Sequence, residues 1–390
     1  MTVQYVKAVA ADYDEVIDLA NYVFSAARVP HDFPAILPKL YKREYFTEAV
    51  HYLAKEDGKI RAVIGAYPLT MNILGDLLPG RGIGMVSVHP YTRSRGYMRA
   101  LMEMALEDMR RDGMVFSCLG GQRQRYEYFG YTPAGTRIVF ECRKANVRHV
   151  LGKDFMPGFS LRLLTAADRE LVERIRSFHE AKPARLERDG ERFFDIISSW
   201  GSKVYAVLEG ETFAGYLICN SREDAITELN LGDPARIAEL IALFLHNPGR
   251  IAQQDRVAVT VHPHETGKLA ALTAFAEDYS LSSAYSFNIF NYPRILEVLL
   301  KLKARTLALA DGAARIRIGG ETLGIAVSGG NPSLDSSAGA TPPDITLSPL
   351  EAAEFFFSPM APLVFPAVRD NPFLRNLLPL PLFFESADEV

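Results

Sequence analysis

The pattern of apolar and polar positions is clearest between residues 83 and 131, where it predicts a strand, a helix and a second strand. Residues 83–88 (IGMVSV) are apolar and rich in β-branched side chains, which is typical of a buried strand. Residues 114–119 (MVFSCL) form a similar run. Between them, one apolar helical face is formed by four residues: Leu101, Met104, Ala105 and Met109. The region is therefore expected to form a β-α-β unit.

The turn between the first strand and the helix contains Arg93, Ser94, Arg95 and Gly96. The first N–H groups of a helix lack partners within the helix and lie at the positive end of its dipole, so they favour an anion. Gly96 would let the backbone approach a ligand closely, and the arginines would add charged donors. The turn lacks the glycine spacing of a P-loop or a dinucleotide fingerprint. The turn therefore predicts a phosphate site that differs from both of these motifs.

The rest of the chain predicts three units. In residues 1–150, hairpin strands at 49–55 and 60–73 meet at Asp57-Gly58, and a strand at 138–143 is expected to close the unit. Residues 151–286 repeat this order, but Asp233 stands where the first unit has its basic turn. A carboxylate there would cap the helix N–H groups itself, so the second unit is expected to hold no coenzyme. Residues 287–390 form a third α/β unit.

Composition limits the functional classes. The chain has 390 residues, a hydrophobic content of 48% and a formal net charge of −4, which is typical of a soluble globular protein without a nucleic-acid footprint. We expect no membrane span, no signal peptide and a cytoplasmic location. The three cysteines are interpreted as buried apolar residues. His262 and His264 are interpreted as part of a solvated loop, so no metal is expected.

Two motifs give the chain a family resemblance: V-S-V-H-P-x-x-R-x-R-G at residues 86–96 and Y-x-x-F-G-Y at 126–131. The chain resembles the Eis-like (enhanced intracellular survival) N-acetyltransferases. The resemblance implies an α/β fold of tandem GNAT domains with mixed central sheets, followed by a sterol-carrier-like domain. It assigns residues 1–150 to a catalytic acetyl-CoA-binding domain, 151–286 to a degenerate GNAT-like domain and 287–390 to the domain that delivers the C-terminus.

The resemblance also implies roles for individual residues. Tyr126 would be the general acid that protonates the departing thiolate, and the carboxylate of Val390 would be the general base. Glu389, Asp388 or water remain alternatives for the base. Acetyl-CoA would be bound by these residues: Val86, Ser87, Val88, Arg93, Ser94, Arg95, Gly96, Tyr97 and Met98.

The acceptor would be a primary amine, either a small molecule such as an aminoglycoside or a lysine or peptide amine. An aromatic, proline-broken segment predicts one wall of its pocket, with Phe24, Phe33, Leu37 and Tyr41 as candidates. A homo-oligomer is expected. The alternative hypothesis is a coenzyme sensor or lipid-binding protein on the same scaffold, without catalysis.

Overall fold

The computed structural model describes residues 2–27, 29–46, 50–250, 255–337 and 342–390, and it has a mixed α/β architecture with three sheets. The strands are β1 Val3–Lys7, β2 His51–Glu56, β3 Lys59–Ile73, β4 Asp76–Val88, β5 Phe116–Leu119, β6 Thr132–Ala134, β7 Arg137–Arg143, β8 Ser160–Leu163, β9 Ala184–Leu186, β10 Lys203–Glu209, β11 Thr212–Cys219, β12 Ala225–Leu231, β13 Arg256–Val261, β14 Asp278–Ser282, β15 Tyr285–Ile289, β16 Gly312–Ile318, β17 Glu321–Ser328, β18 Asn331–Asp335 and β19 Ile345–Leu347.

The helices cover the faces and ends of these sheets. They are α1 Tyr13–Ala27, α2 Phe33–Ile36, α3 Pro38–Tyr41, α4 Tyr97–Arg111, α5 Arg123–Tyr126, α6 Lys144–Leu151, α7 Arg169–Glu180, α8 Phe193–Ile197, α9 Ile237–His246, α10 Thr266–Thr273, α11 Tyr292–Thr306, α12 Pro349–Phe357, α13 Ala361–Val364, α14 Pro366–Arg369 and α15 Pro372–Leu377. Among the described residues, none of these helices is long and apolar enough to cross a bilayer.

The first sheet has the order β1-β2-β3-β4-β5-β15-β6, and β9 pairs with the far end of β3. Its long β3–β4 hairpin turns at Leu74 and Gly75, both with positive φ. Helix α4 packs on one face through Leu101, Met102 and Ala105, which are buried. The predicted strand-helix-strand order of this region is therefore confirmed, although β4 begins earlier than the apolar pattern indicated.

One strand of the first sheet comes from a distant part of the chain. The prediction that residues 138–143 close the first unit is wrong, because β7 lies in the second sheet between β13 and β14. Its place in the first sheet is taken by β15, which pairs antiparallel with both β5 and β6. The two sheets thus exchange strands, and apolar patterning cannot reveal this because it indicates which face of a strand is buried and not which strand it pairs with.

The second sheet has the order β14-β7-β13-β12-β11-β10-β8 and repeats the arrangement of the first. Helix α9, with eight buried residues, covers it. The smaller third sheet, β18-β17-β16-β19, packs against α11 and the phenylalanine-rich α12. The core around α11 also includes Phe116 and Phe287 of the first sheet, so the third sheet and the first share one apolar cluster.

The C-terminal segment leaves this shared core and runs between the first and second sheets. Leu380 donates to the carbonyl of Phe356, and Thr136 donates to the carbonyl of Leu382. After the 3-10 turn Ser386–Asp388, the chain ends at Val390 beside strand β4. The fold therefore brings residue 390 next to residues near 84.

Candidate functional site

The basic turn before α4 has the backbone that its glycine predicts. Gly96 is the N-cap residue with φ +82°, and Ser94 also has positive φ. A Cβ at Gly96 would meet nothing within 4 Å, so the need for glycine there comes from the backbone conformation and not from crowding. No side chain caps the helix. Its first N–H groups remain available to a ligand.

The two arginines of this turn differ in their surroundings. Arg95 pairs with the buried Glu56 at 2.7 Å, and the Tyr97 and Glu56 side chains raise the pKa of Arg95. Arg93 is exposed and has no ion pair within the described residues. Met98 is half-buried and packs against the core beside α4. The turn therefore presents the Arg93 guanidinium and the N-terminus of α4 to solvent.

Strands β4 and β5 separate just before this turn. They pair in parallel from Gly80↔Phe116 to Ile83↔Leu119, and no pairing follows beyond these positions. Val86 and Val88 therefore lie on a part of β4 whose β5-side edge has no strand partner within the described residues. Ser87 points into the protein, and its buried hydroxyl has no hydrogen-bond partner there.

A bulge interrupts β4 where the strands separate. The register with β3 shifts between Val63 and Gly65, so that Met85 and Val86 both oppose Ile64. Met85 has φ +53°, which is unusual for a residue other than glycine. A bulge of this kind leaves a residue out of the ladder and turns its backbone groups in a new direction. Sequence reasoning missed this feature.

Tyr126 ends the short helix α5, on the far side of the gap between β4 and β5. Its ring lies over Gly121, where an added Cβ would come within 2.3 Å of Cε2. The side chain is half-buried against the core beside α4. Burial raises the pKa of the Tyr126 phenol, and the nearby Arg125 only partly opposes this. The phenol is therefore protonated at neutral pH.

The last residue of the chain packs against two glycines of β4. A Cβ on Gly82 would lie 2.8 Å from Cγ2 of Val390, and a Cβ on Gly84 would lie 3.0 Å from its carboxyl carbon. Because β-strand residues alternate between faces, these glycines form one flat strip, which we call the glycine groove. Leu69 and Tyr67 border it. Only glycine leaves room there for a chain terminus.

Two cations from distant parts of the chain, in α3 and after β9, fix the residues before Val390. Lys39 is buried and donates to the carbonyl oxygens of Ala387 and Glu389, at 2.6 and 2.7 Å. The guanidinium of Arg188 contacts the Asp388 carboxylate with Nη2 at 2.9 Å from Oδ2. These contacts were not apparent from the sequence, since the partners are separated by about 200 or more positions.

The side chains of the other tail acids are also paired. Arg137 contacts Glu389 at 3.1 Å, and Lys182 contacts the buried Glu385 at 2.8 Å. In contrast, the terminal carboxylate of Val390 has no ion pair or hydrogen bond among the described residues. It is the one carboxyl group of residues 385–390 without a cation.

A cavity of about 300 Å³ lies beside Val390. We call it the tail cavity, and it is lined by Lys39, Leu40, Tyr45, Val50, His51, Tyr67, Pro68, Leu69, Thr70, Glu187, Asp189, Arg192, Ile196, Asp388 and Val390. The four pocket candidates from the sequence, Phe24, Phe33, Leu37 and Tyr41, are not among these residues. They lie in the core behind the cavity, with Leu37 and Tyr41 fully buried. Other residues of the same segment, Lys39, Leu40 and Tyr45, line the cavity instead.

The second sheet lacks a comparable helix start. Asp233 accepts a hydrogen bond from the N–H of Ala235 at 3.0 Å, as expected for a cap. Arg236 is paired with Glu239 and Glu209. The interpretation of His262 and His264 as a solvated loop is wrong, because both are buried against Phe383 of the tail.

Within the described residues, one group has metal-ligand geometry: His179, Glu228 and Glu385. Lys182 and Arg188 already contact its carboxylates at 2.7 and 2.9 Å. Two cations inside the group oppose a third, so its donor set favours a salt-bridge network.

His89, beside the basic turn, accepts a hydrogen bond from the N–H of Tyr91 through Nδ1.

Comparison with known proteins agrees with this geometry. Residues 4–134, about a third of the chain, match the sequence profile of the family described as acetyltransferase (GNAT) domain. None of the curated proteins matches the chain in sequence.

Three solved structures share the fold over nearly the whole length. A GCN5-related N-acetyltransferase from Kribbella flavida is 18% identical and covers 100% of this chain and 98% of its own, with a TM-score of 0.62. One from Anabaena variabilis is 14% identical and covers 98% of both chains, with a TM-score of 0.66. Eis1 from Mycobacterium abscessus is 13% identical and covers 100% of both chains, with a TM-score of 0.65. At these identities the likeness concerns the fold.

The matched profile gives the class of the first domain, and the full-length likeness agrees with it in fold. The chain carries a GNAT acetyltransferase domain at residues 4–134, and it is an N-acetyltransferase of the GNAT type that uses acetyl-CoA.

Proposed function

We propose that this protein is an Eis-like enzyme that transfers the acetyl group of acetyl-CoA directly to a small-molecule or peptide primary amine, with the Val390 carboxylate as general base. The observation that carries the proposal is the position of Val390 in the glycine groove, beside the point where β4 and β5 separate. A carboxylate there can receive the proton of an amine that attacks in the gap between the strands.

The coenzyme is proposed to lie in this gap. Val86 and Val88 would pair with its pantetheine arm through their backbone groups, because this edge of β4 has no strand partner among the described residues. The N–H groups of Tyr97 and Met98, with Ser94, Arg95 and Gly96, would hold the pyrophosphate at the start of α4. Arg93, which has no ion pair in the described part, would supply the charge.

The bulge at Met85 supports a further role for the backbone. A carbonyl that becomes an oxyanion during acyl transfer is stabilised by N–H groups that are fixed before the reaction. The bulge turns backbone groups of residues 85 and 86 away from the ladder, close to the glycine groove. We assign the acetyl carbonyl to this position.

Pairing of the tail favours Val390 over its neighbours as the base. Asp388 is occupied by Arg188 and Glu389 by Arg137, so each of these carboxylates would have to break an ion pair to act. The terminal carboxylate has no such partner in the described residues. It is therefore free to bind the ammonium group of the acceptor and then to take its proton.

Tyr126 is proposed as the general acid. The departing group is a thiolate, and a phenol that remains protonated at pH 7 can donate to it. The raised pKa of Tyr126, caused mainly by burial, keeps that proton in place. Helix α5 follows β5 in the chain, so the tyrosine is proposed to act from the β5 side of the gap, where the thiolate leaves.

The decisive experiment changes the position of the terminal carboxylate without changing any existing residue. Two glycines added after Val390 should lower kcat/KM for amine acetylation by about 10²- to 10⁴-fold, the usual contribution of a general base. Acetyl-CoA binding, measured by calorimetry, should be unchanged. The same two glycines placed before Met1 are the control. Full activity of the C-terminal extension would exclude Val390 as the base.

A second variant tests the acid. Tyr126→Phe keeps the ring over Gly121 and removes the hydroxyl, so we expect slower turnover with unchanged coenzyme affinity. Tyr128→Phe is the matched control, because its ring is exposed. Equal rates for the two variants would contradict the assigned role.

Two parts of the proposal rest on the resemblance. They are the division into a catalytic domain (1–150), a degenerate GNAT-like domain (151–286) and a sterol-carrier-like domain (287–390), together with assembly into a homo-oligomer. Exposed Leu363 and Val364 of α13 are 69% and 60% accessible, which supports a contact surface there. Sedimentation equilibrium of the purified chain would test the oligomer, and a monomer at micromolar concentration would exclude it.

A further inference from the structure

The tail cavity has properties that restrict the acceptor amine. Its volume of about 300 Å³ is at the small end of ligand pockets. One wall comes from the first sheet and its preceding helices, through Leu40, Val50 and Leu69. The opposite wall comes from residues 187–196, which follow β9. Because Leu40 lies in α3, Leu69 in β3 and Ile196 in α8, the apolar part of the walls is fixed and restricts the part of the acceptor that lies beside Val390.

Most carboxylates around the cavity are already neutralised. The Glu187 carboxylate accepts hydrogen bonds from Arg185 at 2.8 Å and from Asn72 at 2.6 Å. Asp189 has the guanidinium Nε of Arg192 at 3.4 Å. The third carboxylate, that of Asp388, is paired with the buried Arg188. These three carboxylates are therefore poor partners for a second ammonium group on the acceptor.

The terminal carboxylate is different, because no described residue neutralises it. It can bind a single ammonium group at the glycine groove. The cavity thus presents one unpaired negative charge among the residues that the structure describes, at the position where the reacting amine must lie.

Apart from Lys39, His51 and Thr70, the remaining wall is apolar or aromatic. Leu40, Leu69 and Ile196 contribute aliphatic surface, and Tyr67 contributes a buried ring. The ring of Tyr45 already has two cations near its face, Lys42 at 5.7 Å and the Arg192 guanidinium at 4.7 Å from the centroid. An additional ammonium group on the acceptor would lose water without gaining a partner here, which is unfavourable.

We infer that the acceptor is a compact primary monoamine with an apolar or aromatic body, and not a polycation such as a polyamine or an aminoglycoside. This inference rests on the proposed function of the site. The ammonium group binds the Val390 carboxylate, and the body fills the space between Leu40, Leu69 and Ile196.

The reaction balances with these groups and one proton released to solvent. The bound ammonium group first loses a proton through the Val390 carboxylate to solvent, which leaves a neutral amine. The amine nitrogen then forms a bond to the acetyl carbon, and the bond between that carbon and the coenzyme sulphur breaks. Nitrogen loses its second proton to the Val390 carboxylate, the thiolate receives a proton from Tyr126, and the tyrosine regains a proton from the Val390 carboxyl group through solvent. The products are the N-acetyl amide, coenzyme A and one proton.

The test compares 2-phenylethylamine, spermidine and an aminoglycoside as acceptors for the full chain, with saturating acetyl-CoA and thiol release as the readout. We expect kcat/KM for 2-phenylethylamine to exceed that for each polycation by roughly tenfold or more, which corresponds to about 1.4 kcal/mol, because each unpaired ammonium group carries a desolvation penalty. Equal or faster acetylation of spermidine or the aminoglycoside would overturn the inference and leave the acetyltransferase function intact.

A variant sharpens the test by adding a charge to the wall. Ile196→Asp should shift the ratio of kcat/KM values towards spermidine, and Met156→Asp, at an exposed position away from the cavity, should leave the ratio unchanged. If Ile196→Asp does not fold, the wild-type ratio still decides. If acetyl-CoA binds but none of the amines is acetylated, the proposed function fails, and the inference fails with it.

Discussion

The first and second sheets have the same order of elements, but the helical segments that follow β4 and β12 start differently. In the first sheet, the helix after β4 begins at Gly96 with no side-chain cap. In the second, the helical segment after β12 begins at Asp233, whose carboxylate accepts from a backbone N–H. The first helix start is open to an anion, and the second is closed by its own side chain.

The two sheets also differ in what occupies the space beside their diverging strands. Beside β4, Gly82 and Gly84 leave room for the chain terminus and, in the proposed function, for substrates. Beside β12 and β13, which pair only at two positions, the space is filled by protein. Phe383 packs on His262 and His264 there, and a network of buried charges lies nearby. The comparison teaches that element order sets where a site can be, and a few residues decide whether it exists.

The largest predicted effect comes from the charge network of the second sheet. Arg188→Met would leave the buried carboxylates of Asp388 and Glu228 with fewer cations, so we expect a loss of about 3–5 kcal/mol in the free energy of unfolding. Chemical denaturation measures it. Arg174→Met, which removes an exposed pair with Glu170, should change stability by less than about 0.5 kcal/mol. Equal effects would mean that the network is not structural.

A smaller effect is predicted for the glycine groove. Gly84→Ala would place a Cβ 3.0 Å from the carboxyl carbon of Val390 and displace the terminus by a few tenths of an ångström. Misplacing a catalytic group by about 1 Å can cost about 10²-fold in rate, so this smaller displacement should lower kcat by less than that while acetyl-CoA affinity stays constant. Gly232→Ala is the matched change in the second sheet, since its nearest atom lies at 3.7 Å. It should be silent, and a silent Gly84→Ala would contradict the role of the groove.

The basic turns give the next prediction. Replacing Arg93 and Arg95 by alanine should weaken acetyl-CoA binding by about tenfold per arginine, because each charge-assisted hydrogen bond contributes about 1.5–3 kcal/mol. Arg236→Ala, near the second helix start, removes only contacts to Glu239 and Glu209 and should not change the affinity. Calorimetry on both variants separates the two turns. A loss of affinity in Arg236→Ala would break the comparison.

The parts of the site that could be predicted from the sequence are local. The uncapped turn at Gly96, the closing carboxylate at Asp233 and the tyrosine at 126 depend on residues within a few positions of one another. A local sequence pattern can therefore predict each of these three features.

The parts that could not be predicted depend on distant pairs. The exchange of β7 and β15 is decided by ladder partners about 150 residues apart, as in Ser286↔Leu119. The position of Val390 depends on Lys39, 348 and 350 residues from the carbonyls that it holds. No periodicity or spacing in the chain encodes such contacts, so the cavity could be assigned only to the segment before β2 and not to its lining residues.

The smallest predicted effect concerns the two lysines that hold the tail, one from each region. Lys39 binds neutral carbonyls, and burial lowers its pKa to about 8. Lys182 is also buried, which by itself would lower its pKa, but Glu228 and Glu385 raise it well above the usual range. The unfolded chain binds a proton at both positions up to about pH 10.4.

The sign of the pH dependence follows for each lysine. Between pH 8 and 9 the folded protein gives up the Lys39 proton and the unfolded chain keeps it, so wild-type stability should rise by about 1 kcal/mol relative to Lys39→Met. Lys182 stays protonated in both states over this range, so the stability difference from Lys182→Met should be constant. Urea denaturation of the three proteins at pH 7, 8 and 9 measures both differences. A constant difference for Lys39→Met would show that this lysine keeps its proton, and the contrast between neutral and charged partners at the two ends of the tail would then be lost.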